Sequence, residues 1–444
     1  MSIKALSVIG IGKLGLPLAA YYASRGYKVI GVDVNKAAVE AVNKGITPIY
    51  EPGLGELLKN AHGRLSATTD YKFAVENSDI TFILVPTPSE KHGGFSTKYA
   101  EEAARNIAEV LKYKKGFHIV VLTSTVMPGA TETVVKPILE KVSGKKCGVD
   151  FGLCYNPEFI ALGSVIRDLA SPDAVLIGES DRKSGDILSE VYKNVCTNNP
   201  PIARMSPYNA EVAKLALNVF ITTKISLANA FAETCEQFPG GDIDAVTGFL
   251  GLDSRIGPKY LRGGLGYGGP CFPRDNLAFI YLTQQLNSQA WLQEATHKVN
   301  QHQNERIAKL VENKLGSIKG KVIALLGVTY KPNTDVVEES ASLETAKALL
   351  KRGARLRIYD PAGNDNAQRA LGNKNVVYAT SAKDCLKGTQ LCILATPWDE
   401  FKRLKPGDFI SHMDKPVVLD CWRLFDRKEF ASKIEYFALG VNHK

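Results

Sequence analysis

The stretch "VIGIGKLGLPLA" at residues 8–19 places three glycines, Gly10, Gly12 and Gly15, in the spacing G-x-G-x-x-G. It continues an apolar run typical of a buried strand and opens a segment with helical periodicity. Asp33 ends the next strand-like run. Such glycines permit a tight turn and let a pyrophosphate reach the helix N-terminus, while the acidic residue accepts hydrogen bonds from a ribose and repels a 2′-phosphate. The stretch therefore predicts a dinucleotide-binding βαβ unit that prefers NAD to NADP.

Strand and helix patterns alternate on both sides of this unit. In the first third, strand-like runs cover 4–10, 27–33, 77–86 and 116–124, and helical segments cover 14–25, 97–112 and 129–142. The alternation returns near the C-terminus, with strand-like runs at 317–327, 353–361, 388–397 and 415–422. Such alternation is typical of parallel sheets covered by helices. We therefore predict an α/β fold with two Rossmann-like parallel-sheet domains.

The middle of the chain has a different pattern. Residues 206–238 form one long helical pattern, with Pro207 near its start, where proline is tolerated. Its apolar residues occupy more than one side, which favours a dimer interface. We predict a helical central domain at 205–312 that joins an N-terminal domain at 1–204 to a C-terminal domain at 313–444.

Composition excludes several classes of protein. The 444 residues are 45% hydrophobic and 23% charged, which is ordinary for a globular protein. The formal net charge of +9 is spread along the chain, so we expect small polyanionic ligands such as nucleotide diphosphates rather than nucleic acid. No apolar run approaches the roughly 20 residues of a membrane span. The N-terminus begins as a strand without a signal-peptide pattern, so we expect a cytoplasmic enzyme without membrane contact.

The eight cysteines argue against two kinds of site. They are scattered without CxxC pairs and have few histidines nearby, which speaks against zinc and against a disulfide framework. We expect all but one to be buried structural thiols and no metal to be bound.

The exception is the cysteine in "GGLGYGGPCFPRDN" at 263–276. Five glycines in seven positions precede Cys271, and Asp275 follows four residues later. So many glycines predict that something comes very close to this backbone. On the long helix, Lys214 and Asn218 share one face, and Asn229 returns to nearly the same stripe. The alternatives are a solvated helix face for this stripe and a loop cap for Asp275.

Several motifs together resemble the UDP-glucose/GDP-mannose dehydrogenase family over nearly the full chain. They are "GIGKLGLPLA", "VPTP", "STVMPG", "NPEFIALGSVIRD", "AEVAKLALNVF", "GLDSRIGPKYL", "GYGGPCFPRD", "GVTYKPNTDVVEES" and "LDCWRL". The resemblance implies two-step, four-electron oxidation of a sugar C6 alcohol to a carboxylate, using two NAD and a cysteine but no metal. It further implies an NAD-binding first domain, a dimerising central domain with the catalytic cysteine loop, and a third domain that binds the nucleotide sugar.

The resemblance also assigns catalytic roles. Cys271 is the expected nucleophile, which holds the aldehyde as a thiohemiacetal and then forms a thioester. Lys214 is expected to stabilise the oxyanion, and Glu158 to act as the base for thioester hydrolysis, which favours a raised pKa. Three residues are expected to order water and move protons: Asp275, Asn218 and Thr125.

Binding residues follow from the same motifs. The predicted cofactor contacts are Gly10, Ile11, Gly12, Lys13, Leu14, Gly15, Asp33, Thr87, Thr125, Arg274 and Lys331. The predicted substrate contacts are Phe159, Lys214, Asn218, Arg255, Tyr260, Gly268, Lys331 and Arg423. For two of the predicted site residues a structural role remains the alternative. Glu158 would then be an acidic residue that stabilises a turn, and Arg255 would form a surface ion pair.

Three residues depart from the family's pattern. Leu162 stands where many members carry a glutamate, Glu338 replaces a common arginine, and Trp422 replaces a small or polar residue. We favour UDP-glucose as substrate and UDP-glucuronate as product. The alternatives are GDP-mannose, an N-acetylated UDP-sugar, a simple hydroxy-acid dehydrogenase that releases one NADH per turnover, and a non-catalytic NAD-sensing protein.

Overall fold

The computed structural model describes residues 3–61 and 63–442. The chain separates into two compact units, Met1–Ala216 and Leu217–Lys444, and the division falls within a long helix. The predicted domain boundaries lie elsewhere: residues 204 and 205 belong to one strand, and residues 312 and 313 to one helix. The division into three domains therefore stays a prediction.

The first unit is built on an eight-stranded sheet in the order β3-β2-β1-β4-β5-β6-β7-β8. Neighbouring strands run parallel except for β6 and β7, which pair antiparallel. The alternation predicts a purely parallel sheet. In the structure, β7 and β8 extend that sheet at one edge and run in the opposite direction to the other six strands, as is common in large α/β sheets. The strands are β1 (Ala5–Ile9), β2 (Lys28–Val32), β3 (Leu65–Thr68), β4 (Ile80–Ile83), β5 (His118–Leu122), β6 (Phe151–Tyr155), β7 (Val175–Glu179) and β8 (Ile202–Met205).

Helices connect these strands. Side chains cap three of them: Asn35 accepts the backbone N–H groups of Ala37 and Ala38, Asp70 accepts that of Phe73, and Asp181 accepts that of Ser184. A short π-helical turn, Thr131–Val135, precedes the sixth helix. The helices are α1 (Gly15–Ser24), α2 (Lys36–Asn43), α3 (Leu54–Asn60), α4 (Tyr71–Glu76), α5 (Lys98–Leu111), α6 (Lys136–Ser143), α7 (Val165–Ala170), α8 (Arg182–Val195) and α9 (Pro207–Cys235), the last of which continues into the second unit.

The order of the strands creates a topological switch point, where successive connections lead to opposite sides of one strand. The chain leaves β1 toward β2 and β3 on one side, then returns to add β4 on the other side of β1. Ile9 lies opposite Val32 and Ile83, so the carboxyl ends of these three strands meet at one edge. Ligands of open α/β sheets bind at such a switch point.

The second unit contains a six-stranded, wholly parallel sheet in the order β11-β10-β9-β12-β13-β14. This confirms the prediction of a second Rossmann-like sheet. Its strands are β9 (Val322–Leu326), β10 (Arg355–Tyr359), β11 (Val376–Tyr378), β12 (Leu391–Leu394), β13 (Val417–Asp420) and β14 (Glu435–Ala438). Its helices are α10 (Ile243–Leu252), α11 (Phe272–Gln285), α12 (Trp291–Leu315), α13 (Ala341–Lys351), α14 (Asn364–Leu371), α15 (Ala382–Leu386), α16 (Pro406–His412) and α17 (Arg427–Ala431), with a 3-10 turn at Asp399–Arg403.

The helical part of the second unit shares a core with this sheet. Ile307 and Val311 of α12 are fully buried in the same cluster as Ile323 and Leu325 of β9. Arg352 at the end of α13 also binds Glu305 of α12 at 2.6 Å. The predicted boundary at residue 312 therefore cuts through a packed helix, because α12 belongs to the core of the sheet that follows it.

Among the residues the structure describes, α9 alone is long and apolar enough to cross a membrane by length and composition. Its most apolar 18-residue window has a mean hydropathy of 1.4, and 44% of that window is buried. The sequence prediction concerns uninterrupted apolar runs and is not contradicted, because Glu211, Lys214 and Lys224 interrupt the apolar residues of α9. The test is weak evidence for a span, because core helices of soluble proteins also pass it. Moreover, α9 carries two polar residues, Lys214 and Asn218, whose side chains are buried in the protein.

Candidate functional site

The glycine loop after β1 is the first part of the site. Gly10 has a φ of +90°, and a Cβ there would lie 2.2 Å from the carbonyl oxygen of Leu84. A Cβ on Gly15 would lie 1.8 Å from the carbonyl oxygen of Gly10. A Cβ on Gly12 would meet nothing within 4 Å. Gly10 and Gly15 are thus needed for packing of the turn and the helix, whereas Gly12 leaves the backbone accessible beside the start of α1, as a pyrophosphate requires.

Asp33 completes this loop from the end of β2. Its Oδ2 accepts the backbone N–H of Ile11 at 3.0 Å, and its Oδ1 accepts that of Asn35 at 2.9 Å. Each carboxylate oxygen has two lone pairs, so capacity remains to accept ribose hydroxyls. The fixed negative charge disfavours a 2′-phosphate there. Together with the accessible Gly12, this geometry fits NAD.

The loops after β4 and β5 carry the two predicted threonines. The hydroxyl of Thr87, which is buried, donates to the backbone carbonyl of Thr125 at 2.7 Å. Ser124, which sequence reasoning missed, accepts the backbone N–H of Val85 at 2.9 Å. These bonds join both loops on the β4 side of the switch point. Of the other predicted loop residues, Ile11 is buried, Leu14 is half-buried and Lys13 is exposed.

Glu158, Phe159 and Lys214 come together within the first unit. The Nζ of Lys214 donates to the backbone carbonyl of Glu158 at 2.7 Å and lies 4.6 Å from the centre of the Phe159 ring. Burial raises the pKa of Glu158 to about 7, although the hydroxyl of Tyr192 and the ammonium of Lys214 oppose this shift. A carboxyl group with a pKa near 7 is suited to act as a general base at neutral pH.

A buried carboxylate from a distant loop holds the segment that carries Glu158. The Oε2 of Glu51 accepts the backbone N–H of Gly163 at 2.7 Å, and its Oε1 accepts that of Val165 at 2.8 Å. The segment 156–164 has no regular secondary structure of its own apart from turns. Glu51 therefore fixes its course between β6 and α7.

Cys271, Asp275 and Asn218 come together within the second unit. Cys271 is the residue that precedes α11, and its backbone carbonyl accepts the N–H of Asp275 at 2.9 Å. Asp275 is buried and accepts the side-chain amide of Asn218 at 2.6 Å. The side chain of Arg274 also donates to Asp275, at 3.3 Å. Backbone N–H groups at a helix N-terminus favour negative charge, so the position suits a reacting thiolate.

The exposure of the cysteines follows the sequence prediction except at Cys147. Cys271 is exposed and Cys147 is half-buried, whereas the other six are buried. Burial raises the pKa of Cys147 to about 11. The eight thiols thus differ in accessibility, and Cys271 is the most accessible to a substrate. No cluster of three or more His, Cys, Asp or Glu side chains suited to a metal occurs within 3–61 and 63–442.

The glycines before Cys271 pack against the chain itself. A Cβ on Gly268 would lie 2.3 Å from the carbonyl oxygen of Glu339, and one on Gly269 would lie 2.6 Å from the Tyr330 ring. A Cβ on Gly266 would lie 2.5 Å from the side chain of Asn300. The close approach that the glycine density predicts is therefore made by the protein's own helix α12 and the loop after β9. A role for Gly268 in substrate binding stays a prediction.

The remaining predicted substrate residues lie in the second unit. Arg255 is 86% exposed and forms an ion pair with Asp253 at 2.6 Å, in line with the alternative of a surface ion pair. Tyr260 has a φ of +64° and is exposed, and Lys331 is half-buried. The guanidinium of Arg423 binds Asp244 through two nitrogens and also donates to three backbone carbonyl oxygens, those of Arg262, Gly263 and Leu439.

The second sheet lacks the open glycine loop of the first. Asp360 directly follows β10, as Asp33 directly follows β2, but Asp360 is buried. It accepts the backbone N–H groups of Val328, Thr329, Ala362 and Gly363. These bonds occupy the acceptor sites that would otherwise bind a ribose. A nucleotide at this sheet must therefore be held in another way, as the sequence indicates.

The three departures from the family's pattern have different surroundings. Leu162 packs against the apolar core of the first unit, and Glu338 is exposed. The indole of Trp422 donates to the carbonyl of Ala395 at 2.7 Å, and its ring would lie 3.0 Å from a Cβ on Gly264. Trp422 thus packs against the glycine-rich stretch that precedes Cys271.

The glycine loop, Asp33 and the sheet order define a dinucleotide-binding α/β protein. Comparison with known proteins narrows this class. Three models of the UDP-glucose/GDP-mannose dehydrogenase family match the chain: the NAD binding domain at 4–196, the central domain at 208–302 and the UDP binding domain at 324–427. The chain belongs to the UDP-glucose/GDP-mannose dehydrogenase family, and it is an NAD-dependent enzyme.

Individual relatives show how far the similarity extends. The UDP-glucose 6-dehydrogenase AglM of Haloferax volcanii is 37% identical over 427 residues, which cover 96% of this chain and 98% of the relative. The GDP-mannose 6-dehydrogenase of Pseudomonas aeruginosa is also 37% identical, but over 359 residues and 80% of each chain. The solved structure of a UDP-glucose dehydrogenase from Pyrobaculum islandicum matches with a TM-score of 0.90 and 36% identity, and the match covers 99% of this chain and 98% of that one.

Proposed function

We propose that the protein is an NAD-dependent UDP-glucose 6-dehydrogenase that forms UDP-glucuronate. The observation that carries this proposal is the pairing of an NAD-type glycine loop with an accessible cysteine at the start of α11. Relatives that share nearly the whole chain are named UDP-glucose 6-dehydrogenases. A UDP binding domain model matches residues 324–427, which supports a nucleotide-sugar substrate.

The chemistry requires two oxidations at one carbon. When bound by the loop after β1 and by Asp33, NAD supplies the hydride acceptor for each. The thiol of Cys271 adds to the aldehyde carbon, so that a C–S bond forms and the carbonyl oxygen takes a proton. Lys214 and the side-chain amide of Asn218 stabilise negative charge on that oxygen. Asp275 accepts a proton, and its bond to Asn218 fixes the direction of the amide.

Hydrolysis completes the reaction. After the second oxidation the sugar carbon is held as a thioester of Cys271. Glu158 takes a proton from water, the water oxygen bonds to the carbon, and the C–S bond breaks to return the thiolate. Thr125 is assigned to the ordering of water. Arg274 is assigned to the cofactor, and Lys331 to the cofactor and the substrate. Four further residues are assigned to the substrate: Phe159, Arg255, Tyr260 and Arg423.

The division of labour along the chain is part of the same proposal. Residues 1–204 bind NAD, 205–312 form the dimer and carry the cysteine loop, and 313–444 hold the nucleotide of the sugar. We also propose a cytoplasmic location. None of the eight cysteines forms a disulfide, which is typical of proteins kept in a reducing compartment.

A homodimer is supported by an apolar face of the second unit. Phe249 and Leu252 of α10 are 74% and 83% exposed. Phe220, Leu227 and Phe231 of α9 are exposed as well. Several large, exposed apolar side chains on two helices of one unit are consistent with a protein interface. A second copy of the chain is the expected occupant, because the same face on each copy closes a two-fold dimer.

Phe249→Asp is therefore expected to weaken the dimer, because a charge would be buried in an apolar interface. Sedimentation velocity at micromolar concentration should show dimers for the unmodified protein and mostly monomers for the variant. Val149→Asp, at an exposed apolar position of the first unit, is the matched control and should sediment as a dimer. An unmodified protein that sediments as a monomer would contradict the proposed interface.

The substrate can be tested with a panel of nucleotide sugars. UDP-glucose should give the highest kcat/KM, with two NADH and one uronate per sugar. Leu162, which stands where many members of the family carry a glutamate, offers the sugar no hydrogen-bond acceptor, so we expect measurable turnover of UDP-galactose. An apolar wall discriminates by only about 10–200-fold per methylene-sized change.

The other sugars in the panel decide between the alternatives. A higher kcat/KM for GDP-mannose or UDP-N-acetylglucosamine would contradict the choice of UDP-glucose while retaining the chemistry. One NADH per sugar would favour a simple dehydrogenase, and no NADH with any sugar would favour an NAD-sensing protein.

A further inference from the structure

A buried hydrogen-bonded group lies beside Glu158 and has no place in the mechanism so far. The hydroxyl of Tyr192, on α8, lies 2.6 Å from the Oδ1 of Asn156 and 3.0 Å from the Oε1 of Glu158. Tyr192 is 4% exposed and Asn156 is 1% exposed. Water therefore has little access to the hydroxyl, and the neighbouring side chains decide how its proton is used.

The orientation of Asn156 makes its oxygen a fixed acceptor. Its Nδ2 donates to the backbone carbonyl of Leu176 at 2.8 Å, so its Oδ1 faces Tyr192. A tyrosine hydroxyl has one proton to donate, whereas two acceptors compete for it here. An ionised Glu158 can only accept, but a protonated Glu158 can itself donate to the hydroxyl oxygen. The direction of the bonds must therefore change with the protonation of Glu158.

Two arrangements follow. With Glu158 protonated, the bonds run from Glu158 to Tyr192 and from Tyr192 to Asn156, so every group is satisfied. With Glu158 ionised, Tyr192 donates to the carboxylate, because hydrogen bonds to a charged acceptor are stronger than neutral ones. Asn156 then loses its donor. The half-buried carboxylate of Glu158 thus has a hydrogen-bond partner in both forms.

Two other titratable groups near Glu158 keep their protons while it titrates. Tyr22 of α1 interacts with Glu158 and with the hydroxyl of Tyr192, and Cys196 after α8 interacts electrostatically with Glu158. Burial raises the pKa of the Tyr22 hydroxyl and that of the Cys196 thiol, the latter to about 11, so both are neutral at pH 7. Lys214 contributes its positive charge from α9. Burial also raises the pKa of Tyr192, which keeps its proton available for donation.

We propose that Tyr192 is a positioning residue for the base Glu158. Its hydroxyl turns from Asn156 to Glu158 when Glu158 loses its proton, and it then holds the carboxylate in the orientation that water attack on the thioester requires. This inference rests on the proposed function, in which Glu158 serves hydrolysis. It adds that Tyr192 and Asn156 together set the pH at which hydrolysis becomes fast.

The test measures breakdown of the covalent adduct across pH. The protein is mixed with UDP-glucose and NAD, quenched at intervals between pH 5.5 and 9, and analysed by intact-protein mass spectrometry. Tyr192→Phe removes the donor to the carboxylate, so the midpoint of the pH profile should move up by about one pH unit. Tyr21→Phe is the matched control, because the Tyr21 hydroxyl is also buried but donates to the backbone carbonyl of Val195. Its profile should not move.

Asn156→Leu provides a test in the opposite direction. Leucine removes the competing acceptor at similar volume, which leaves the Tyr192 hydroxyl to Glu158 alone. The midpoint should therefore move down relative to the unmodified protein. General damage to the fold would not move the two variants in opposite directions. Should Tyr192→Phe fail to fold, as judged by thermal unfolding, the direction of the Asn156→Leu shift decides the matter.

Glu158→Gln separates this inference from the proposed function. If the adduct of Glu158→Gln breaks down as fast as that of the unmodified protein, Glu158 is not the base, and the function proposed for it is wrong. If Glu158→Gln stalls but Tyr192→Phe and Asn156→Leu leave the midpoint in place, Glu158 is the base and the role of Tyr192 is wrong. Opposite shifts of the two midpoints would support it.

Discussion

Cys271→Ser is expected to reduce uronate formation by at least about 10³-fold, as typically follows the loss of a covalent nucleophile. The serine hydroxyl is of similar size but is a far weaker nucleophile at neutral pH than a thiolate. It cannot hold the aldehyde and pass it to the second oxidation. Slow formation of aldehyde should remain, since the first oxidation does not need the C–S bond. The yield should therefore fall from two NADH per sugar to one or fewer.

Cys147→Ser is the matched control for this variant. Cys147 is half-buried in the first unit, and burial raises the pKa of its thiol to about 11, so it is mostly protonated at pH 7. Serine at that position should leave two NADH per sugar. Quenched reactions should further show no sugar adduct on the Cys271→Ser protein. Uronate formation by Cys271→Ser at the unmodified rate would overturn the covalent mechanism.

The sequence predicts the cofactor loop well because its three glycines stand at short, fixed intervals. A Cβ on Gly15 would meet Gly10 within the same loop, and Gly12 borders open space. The group that excludes a Cβ at Gly10 is the carbonyl of Leu84 in a distant segment, but the spacing of the glycines is still recognisable. The antiparallel pairing of β6 and β7 has no such signature. It depends on where a distant segment joins the sheet, and the apolar pattern of a strand does not record its direction.

The surroundings of Cys271 illustrate a different limit. The glycine density correctly predicts a close approach, but the approaching groups are Glu339 and Tyr330, some 60–70 residues further along the chain. Composition cannot distinguish a ligand from a distant segment of the same chain. Likewise, nothing in the pattern of α8 separates Tyr192 from an ordinary core tyrosine. Its contact with Glu158 depends on packing between α8 and the loop after β6.

Glu158→Gln is expected to form the covalent adduct and then stall. Glutamine retains the size of the side chain and a hydrogen-bond acceptor for Tyr192, but it cannot take a proton from water. Both oxidations precede this step, so rapid mixing should release two NADH per active site in a single burst. Breakdown of the adduct should then be about 10²–10⁴-fold slower than in the unmodified protein. Mass spectrometry should show the added mass on Cys271.

The pH dependence provides a second, independent signature of Glu158. Burial raises its pKa to about 7, and only the ionised form can act as a base. In the unmodified protein, adduct breakdown should therefore fall about tenfold per pH unit below pH 7 and level off above it. Glu158→Gln should lose this dependence. Glu190→Gln, an exposed change on α8 near Tyr192, should keep it. If Glu158→Gln loses activity without any adduct, Glu158 acts before the thioester forms, and another group must activate the water.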